Sequence, residues 1–140
     1  MKLDDQCSFY IKHINDVLQR DCNNTLRAVG LTMSQLTALY QLEASFNGEL
    51  PLKELEKQLQ VAQPTAAGII TRLEQKGFVE GSGSGTDKRI KIVRITESGR
   101  ACFAESLIHA EESEANLLSA LTEEEQIHFN RLLKKVSDSL

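Results

Sequence analysis

The sequence predicts a mainly helical α+β fold, six helices with one two-stranded β-hairpin, on three observations. The first lies between Leu52 and Pro64. Leucines at 52, 55 and 59 share one face of a short helix, Gln60-Val61-Ala62-Gln63 reads as a turn, and Pro64 opens a second helix. The fixed φ and missing N–H of a proline are tolerated in a first turn. The second observation is the run from Ala66 to Ile95. Ala66, Ile69, Ile70 and Leu73 recur at i, i+3, i+4, i+7, and Lys76-Gly77 stops the helix. Phe78-Val79-Glu80, a glycine-serine run over 81–86, Asp87-Lys88-Arg89 and the alternating run from Ile90 to Ile95 then make a basic hairpin. The third is a pair of long amphipathic patterns flanking this stretch. Two helices joined by a tight turn and followed by a basic hairpin form a winged helix-turn-helix, which places one helix in a DNA major groove and a loop beside it.

In chain order, Leu3 to Val29 predicts one long helix with the apolar stripe Phe9, Ile11, Ile14, Val17, Leu18 and Leu26, ended by Gly30. Thr32 with Gln35 three residues on is a capping box, opening a helix through Leu36, Leu39, Tyr40 and Leu42. Asn47-Gly48 breaks it, and Glu49 to Leu52 is expected to be a short extended link. After the hairpin, Thr96 caps a fifth helix, with Gly99 tolerated in its first turn and apolar positions continuing to Leu121. Thr122 with Glu125 is a second capping box, opening a last helix through Ile127, Phe129, Leu132, Leu133 and Val136. The outer patterns are too long and too amphipathic to be satisfied by one small lobe. Residues 1–30 and 97–140 are therefore expected to be dimerisation helices around a DNA-binding domain of residues 31–96.

Composition narrows the function. The chain has 140 residues and 41% hydrophobic content, enough for one domain with a core. No apolar run approaches the roughly 20 residues of a membrane span. No apolar signal region comes after Met1-Lys2-Leu3-Asp4-Asp5, so a cytoplasmic protein with no membrane partner is expected. The net charge is −4, but residues 50–100 hold nine Lys/Arg and six Asp/Glu, a net +3, leaving −7 for the rest. Phosphate attraction acts within about one Debye length, ~8–10 Å, so the acidic total is compatible with DNA binding. Cys7, Cys22 and Cys102 are far apart and odd in number, and read as reduced thiols rather than a disulfide frame or zinc site. His13, His109 and His128 are scattered without metal-ligand spacing, so no metal or cofactor is expected. Paired carboxylates, a Ser-His-Asp set and a phosphate loop are all missing from the sequence, which argues against an enzyme.

The run Leu31-Thr32-Met33-Ser34-Gln35-Leu36, then Leu55 to Leu59, Pro64-Thr65 and Arg72-Leu73-Glu74-Gln75-Lys76-Gly77-Phe78-Val79 resembles the MarR (multiple antibiotic resistance regulator) family of bacterial transcription regulators. Asp87-Lys88-Arg89 in the wing and Ile95-Thr96-Glu97-Ser98-Gly99 complete the resemblance, which runs over essentially the whole chain. It implies a symmetric homodimer with interlocked terminal helices, whose two winged lobes read half-sites about one DNA turn apart. The sequence departs from the family pattern at Gly68, where many relatives carry a large polar residue, at Glu80-Gly81, where basic residues are common, and at Ala62, where Ser or Thr often caps the helix.

The pattern of faces and the family resemblance together suggest residue roles. Gln63, Thr65, Ala67, Gly68, Thr71 and Arg72 lie opposite the apolar stripe of the second lobe helix and are the expected DNA readers. Lys88, Arg89 and Lys91 are expected at phosphates or the minor groove, with Asp87 orienting Arg89 or Arg72. A small amphipathic or aromatic effector is expected between the first two helices, the fifth helix and the lobe, with His13, Leu26, Tyr40 and Phe46 as candidate lining. The expected function is a repressor on a palindromic operator in double-stranded DNA, released by that ligand. The alternatives are a redox-sensing regulator using Cys7, as in some relatives, and a winged-helix protein-interaction module without operator binding.

Overall fold

The computed structural model describes residues 1–83 and 90–140. Its elements are α1 (Cys7–Val29), α2 (Met33–Glu43), β1 (Glu49–Pro51), α3 (Leu52–Leu59), α4 (Gln63–Gln75), β2 (Val79–Gly83), β3 (Lys91–Ile95), α5 (Glu97–Leu117) and α6 (Glu123–Asp138). The mainly helical class and its helix order are those the sequence predicts. Local signals act where they are written. Gly30 ends α1 at φ 75°, with its N–H donating to the carbonyls of Arg27 and Leu26. Gln35 N–H donates to Thr32 Oγ1 at 3.2 Å and Thr32 N–H donates to Gln35 Oε1 at 3.3 Å, a reciprocal capping box.

Three details differ from expectation. Residues Leu3–Asp5 form a separate single turn, because Gln6 is extended (ψ 134°), so the long helix starts at Cys7. The link at Glu49–Pro51 is a strand: it pairs antiparallel with β3, Glu49 opposite Arg94 and Pro51 opposite Ile92. The expected two-stranded hairpin is thus a three-stranded sheet in the order β1-β3-β2. Three residues are too few to show alternation in sequence, and the proline is accommodated because β1 is an edge strand. Finally, Gly99 is required, not merely tolerated. A Cβ there would meet the Phe78 carbonyl oxygen at 2.1 Å, the oxygen that accepts the Thr96 N–H.

Leu39, Leu42, Leu55, Ile70, Leu73 and Val93 form the fully buried centre of the lobe, where α2, α3, α4 and the sheet converge. α1 packs along α5. α6 buries none of its residues within the chain, and Ile127 (66% exposed) and Val136 (58%) stand in solvent with Leu132 and Leu133. Among the described residues no helix is long and apolar enough to cross a membrane.

Candidate nucleic-acid interface

Helix α4 has two faces. Ala66, Ile69, Ile70 and Leu73 are buried, while Gln63, Thr65, Ala67, Thr71 and Arg72 are exposed and Gly68 is half-buried. Ala62 precedes it without a side-chain cap, and Pro64 sits in the first turn. A Cβ on Gly68 would meet nothing within 4 Å, so the fold does not demand glycine there. An interior helical glycine costs about 0.5–1 kcal/mol relative to alanine, and what it gives in return is a low surface on the outer face. The structure thereby brings six of the expected readers onto one outward face.

Two neighbours on this side were not singled out from sequence. The start of α2 lies against α4, so Thr32 and Ser34 share a cleft with Thr65, Gly68 and Arg72. The free N–H groups and positive end of a helix N-terminus favour an anion such as a phosphate. On the other flank, Lys53 and Lys57 of α3 line a shallow depression with Gln63. The capping box and the α3 pattern carried these residues, but their proximity to α4 is a tertiary fact.

The wing divides. Asp87, Lys88 and Arg89 lie outside the described residues. Lys91 is described, and its ammonium stands 2.8 Å from Glu74 Oε1 on α4. Arg94, on the other face of β3, donates from Nε to Glu49 Oε2 at 2.8 Å. That hydrogen bond and the charge of Glu49 push the guanidinium pKa further up. At the far end of α4, Lys76 donates to the Gly30 carbonyl and, at 2.8 Å, to Gln35 Oε1. Gln35 is buried, so one lysine ties the end of α4 to the α1–α2 elbow.

A cavity of about 380 Å³ opens between α1, α2 and α5. Leu18, Leu26, Met33 and Leu36 give it apolar walls, with Cys22 and His109 among its polar groups. Of the four residues expected to line a ligand site, it gathers Leu26 alone. His13 is exposed on α1 away from it, Tyr40 leans on Phe103 with ring centroids 6.2 Å apart, and Phe46 is 87% exposed in the turn before β1. Helical spacing names faces but not which side of a helix meets a third one. Cys7 is exposed, Cys22 half-buried and Cys102 buried. Burial pushes the thiols of Cys22 and Cys102 up, and Glu105 adds to the rise at Cys102. Among the described residues no cluster of three or more His, Cys, Asp or Glu could hold a metal.

Comparison with known proteins converges on one family. Residues 31–91 match the MarR family model. The chain is 30% identical over 115 residues to the uncharacterized HTH-type transcriptional regulator YwaE of Bacillus subtilis (strain 168), covering 82% of this chain and 66% of that protein, just under two thirds of its length. It is 30% identical over 118 residues to the uncharacterized HTH-type transcriptional regulator YwoH of the same organism, covering 84% of each. Against the transcriptional repressor MprA of Escherichia coli (strain K12) identity is 27% over 128 residues, 91% of this chain and 73% of that protein. Among solved structures, a mutant MarR from E. coli complexed with operator DNA superposes with a TM-score of 0.72 at 27% identity, covering 91% of this chain and 90% of that one.

Proposed function

Because the chain belongs to the MarR family of transcription regulators, we propose that it is a homodimeric repressor that binds a palindromic operator and releases it when a small amphipathic molecule enters the cavity between α1, α2 and α5. The observation that carries DNA recognition is the two-faced α4, whose buried stripe leaves Gln63, Thr65, Thr71 and Arg72 around the low surface at Ala67 and Gly68. A helix presented in this way reads base edges with its polar side chains while neighbouring cations hold phosphates. Lys53 and Lys57, with the α2 N-terminus, supply the flanking phosphate contacts. The E. coli relative of the same fold is known in complex with operator DNA, which supports DNA binding as the role of the fold.

Dimerisation is supported by the unpartnered apolar face of α6 together with Phe9, Tyr10 and Ile11 on α1 and Leu107 and Ile108 on α5. Residues 1–30 and 97–140 are then the dimerisation unit and 31–96 the DNA-binding lobe. Repression follows physically if the operator overlaps a promoter, and MprA carries that role in its name. The cavity suits a small molecule in size and in its apolar walls with few polar groups. An occupant lowers DNA affinity only by the difference in its affinity for the two lobe separations.

The test is a fluorescence-anisotropy titration of duplex DNA from upstream of the protein's own gene, repeated across salt concentrations. The expected result is tight binding whose log K falls linearly with log[salt]. Binding to no duplex at low salt would leave a protein-interaction module as the better reading. For the cavity, compounds that weaken DNA binding should also shield Cys22 from iodoacetamide; release without shielding would place the effector elsewhere.

A further inference from the structure

We infer that Glu74 and Lys91 form a strut that sets the angle between α4 and the wing, and that position 81 is glycine so that this strut can pass. The register comes first. Val79 pairs with Ile95, Gly81 with Val93 and Gly83 with Lys91, so Lys91 shares a face with Val93 and Ile95. That face is the inner one, since Val79, Val93 and Ile95 are all buried. Lys91 is therefore directed towards α4, and its sequence-based role as a free phosphate contact gives way to a positioning role.

Three observations define the strut. Lys91 Nζ lies 2.8 Å from Glu74 Oε1, a close ion pair rather than an aligned hydrogen bond. Glu74 Oε1 is shut off from solvent and, among the described residues, accepts no hydrogen bond, so the ammonium is what offsets its desolvation. A Cβ on Gly81 would stand 2.4 Å from Lys91 Cε and 3.0 Å from Glu74 Oε1. Any side chain at 81 would thus displace the lysine stem from its path.

The surroundings show why a strut is needed. Among the described residues, buried side chains on the hairpin stop at Val79 and Val93; beyond them β2 is Gly81-Ser82-Gly83, which has no apolar group to pack on α4. Beyond Val93 the described hairpin is held to the lobe through the Pro51–Ile92 pairing on its β1 side, and the strut adds a tie on its α4 side. Glu74 is also the penultimate residue of α4, where a carboxylate faces the negative end of the helix dipole. A carboxylate in that unfavourable place, with its oxygen sealed from water, makes sense as half of a pair. The glycine at 81, one half of the Glu80-Gly81 departure from the family pattern, then has a physical reason in this chain.

The consequence for DNA rests on the operator-binding reading above, but the strut itself does not, and the experiment separates the two. Wing order is read by amide hydrogen exchange of residues 81–83 and 91–92 in the full-length protein. DNA affinity is read by anisotropy on a mixed-sequence duplex long enough for both half-sites. Glu74→Gln should speed exchange in the wing and weaken DNA binding about three- to fivefold at low salt, a deficit of the size expected for a partly exposed pair and shrinking as salt screens it. The sign is diagnostic: if Glu74 merely repels phosphate, its neutralisation tightens binding. Gly81→Ala should reproduce the Glu74→Gln effects, and the charge swap Glu74→Lys with Lys91→Glu should restore wing protection, which a packing role alone would not. Unchanged exchange in Glu74→Gln and Gly81→Ala, or tighter DNA binding by Glu74→Gln, overturns the strut. A wild-type protein that binds no duplex overturns the DNA reading alone, and the exchange data then decide the strut.

Discussion

The lobe and the terminal helices treat their apolar residues in opposite ways. In the lobe, Leu39, Leu42, Leu55, Ile70, Leu73 and Val93 are sealed within one chain. On α6, a comparably regular stripe leaves Ile127, Leu132, Leu133 and Val136 in solvent. Both stripes have the same cause in sequence, an apolar residue every three or four positions. The difference is one of geometry: the lobe has a sheet and three helices to close around a point, whereas α6 extends beyond anything in its own chain that could cover it. That face is the one the proposed second copy would cover, and the covering partner, not the helix, is what sequence periodicity leaves unspecified.

The sharpest way to break this contrast is a pair of core and surface substitutions. Leu73→Ala in the lobe should cost about 2–5 kcal/mol and lower the melting temperature markedly, since it leaves a cavity in a closed core. Leu132→Asp with Leu133→Asp on α6 should leave each lobe folded by circular dichroism yet give a monomer in sedimentation velocity. A dimer that survives the α6 change would put the interface elsewhere. Next in size is a comparison of two glycines. Gly99→Ala must push on the Phe78 carbonyl and should destabilise by about 1–3 kcal/mol. Gly68→Ala meets open space and should stabilise by about 0.5–1 kcal/mol while weakening DNA binding through a raised outer face. Equal melting shifts from the two would show that the packing difference has no energetic weight.

A smaller effect is expected at the joint between the regions. Lys76→Met removes the donor shared by the Gly30 carbonyl and buried Gln35, and should cost about 1 kcal/mol by denaturant unfolding, with faster exchange at the α1–α2 elbow. No change at the elbow would reduce Lys76 to a surface residue. The smallest effect concerns pH. The backbone N–H of Thr122, then its side chain, hold the Glu125 carboxyl below its usual range. A depressed folded pKa means stability that is present above the unfolded value, about 4.3, and lost as pH falls through the folded one. Glu125→Gln, which removes the titrating carboxyl while leaving an amide oxygen to accept from the Thr122 N–H, should therefore flatten the acid limb of α6 helicity, and an unaltered acid limb would show the cap to be idle at low pH.

Much of this molecule was legible in the chain because its signals are local. Gly30, Gly77 and the capping boxes at Thr32 and Thr122 act on neighbours three or four residues away, and the i, i+3, i+4, i+7 stripe of α4 separates core from candidate reader without reference to any other element. Those interactions are specified by sequence distance, so sequence determined them. The tertiary structure alone decided the rest. It made Glu49–Pro51 a strand by bringing it to β3, placed Ser34, Lys53 and Lys57 beside α4, and opened the cavity on a side of α1 that excludes His13. It also turned Lys91 inward onto Glu74 across Gly81 and made Gly99 obligatory beneath Phe78. Each of these depends on which face of one element meets another across many residues of chain, and helical or strand periodicity fixes a residue's face without fixing what that face will meet.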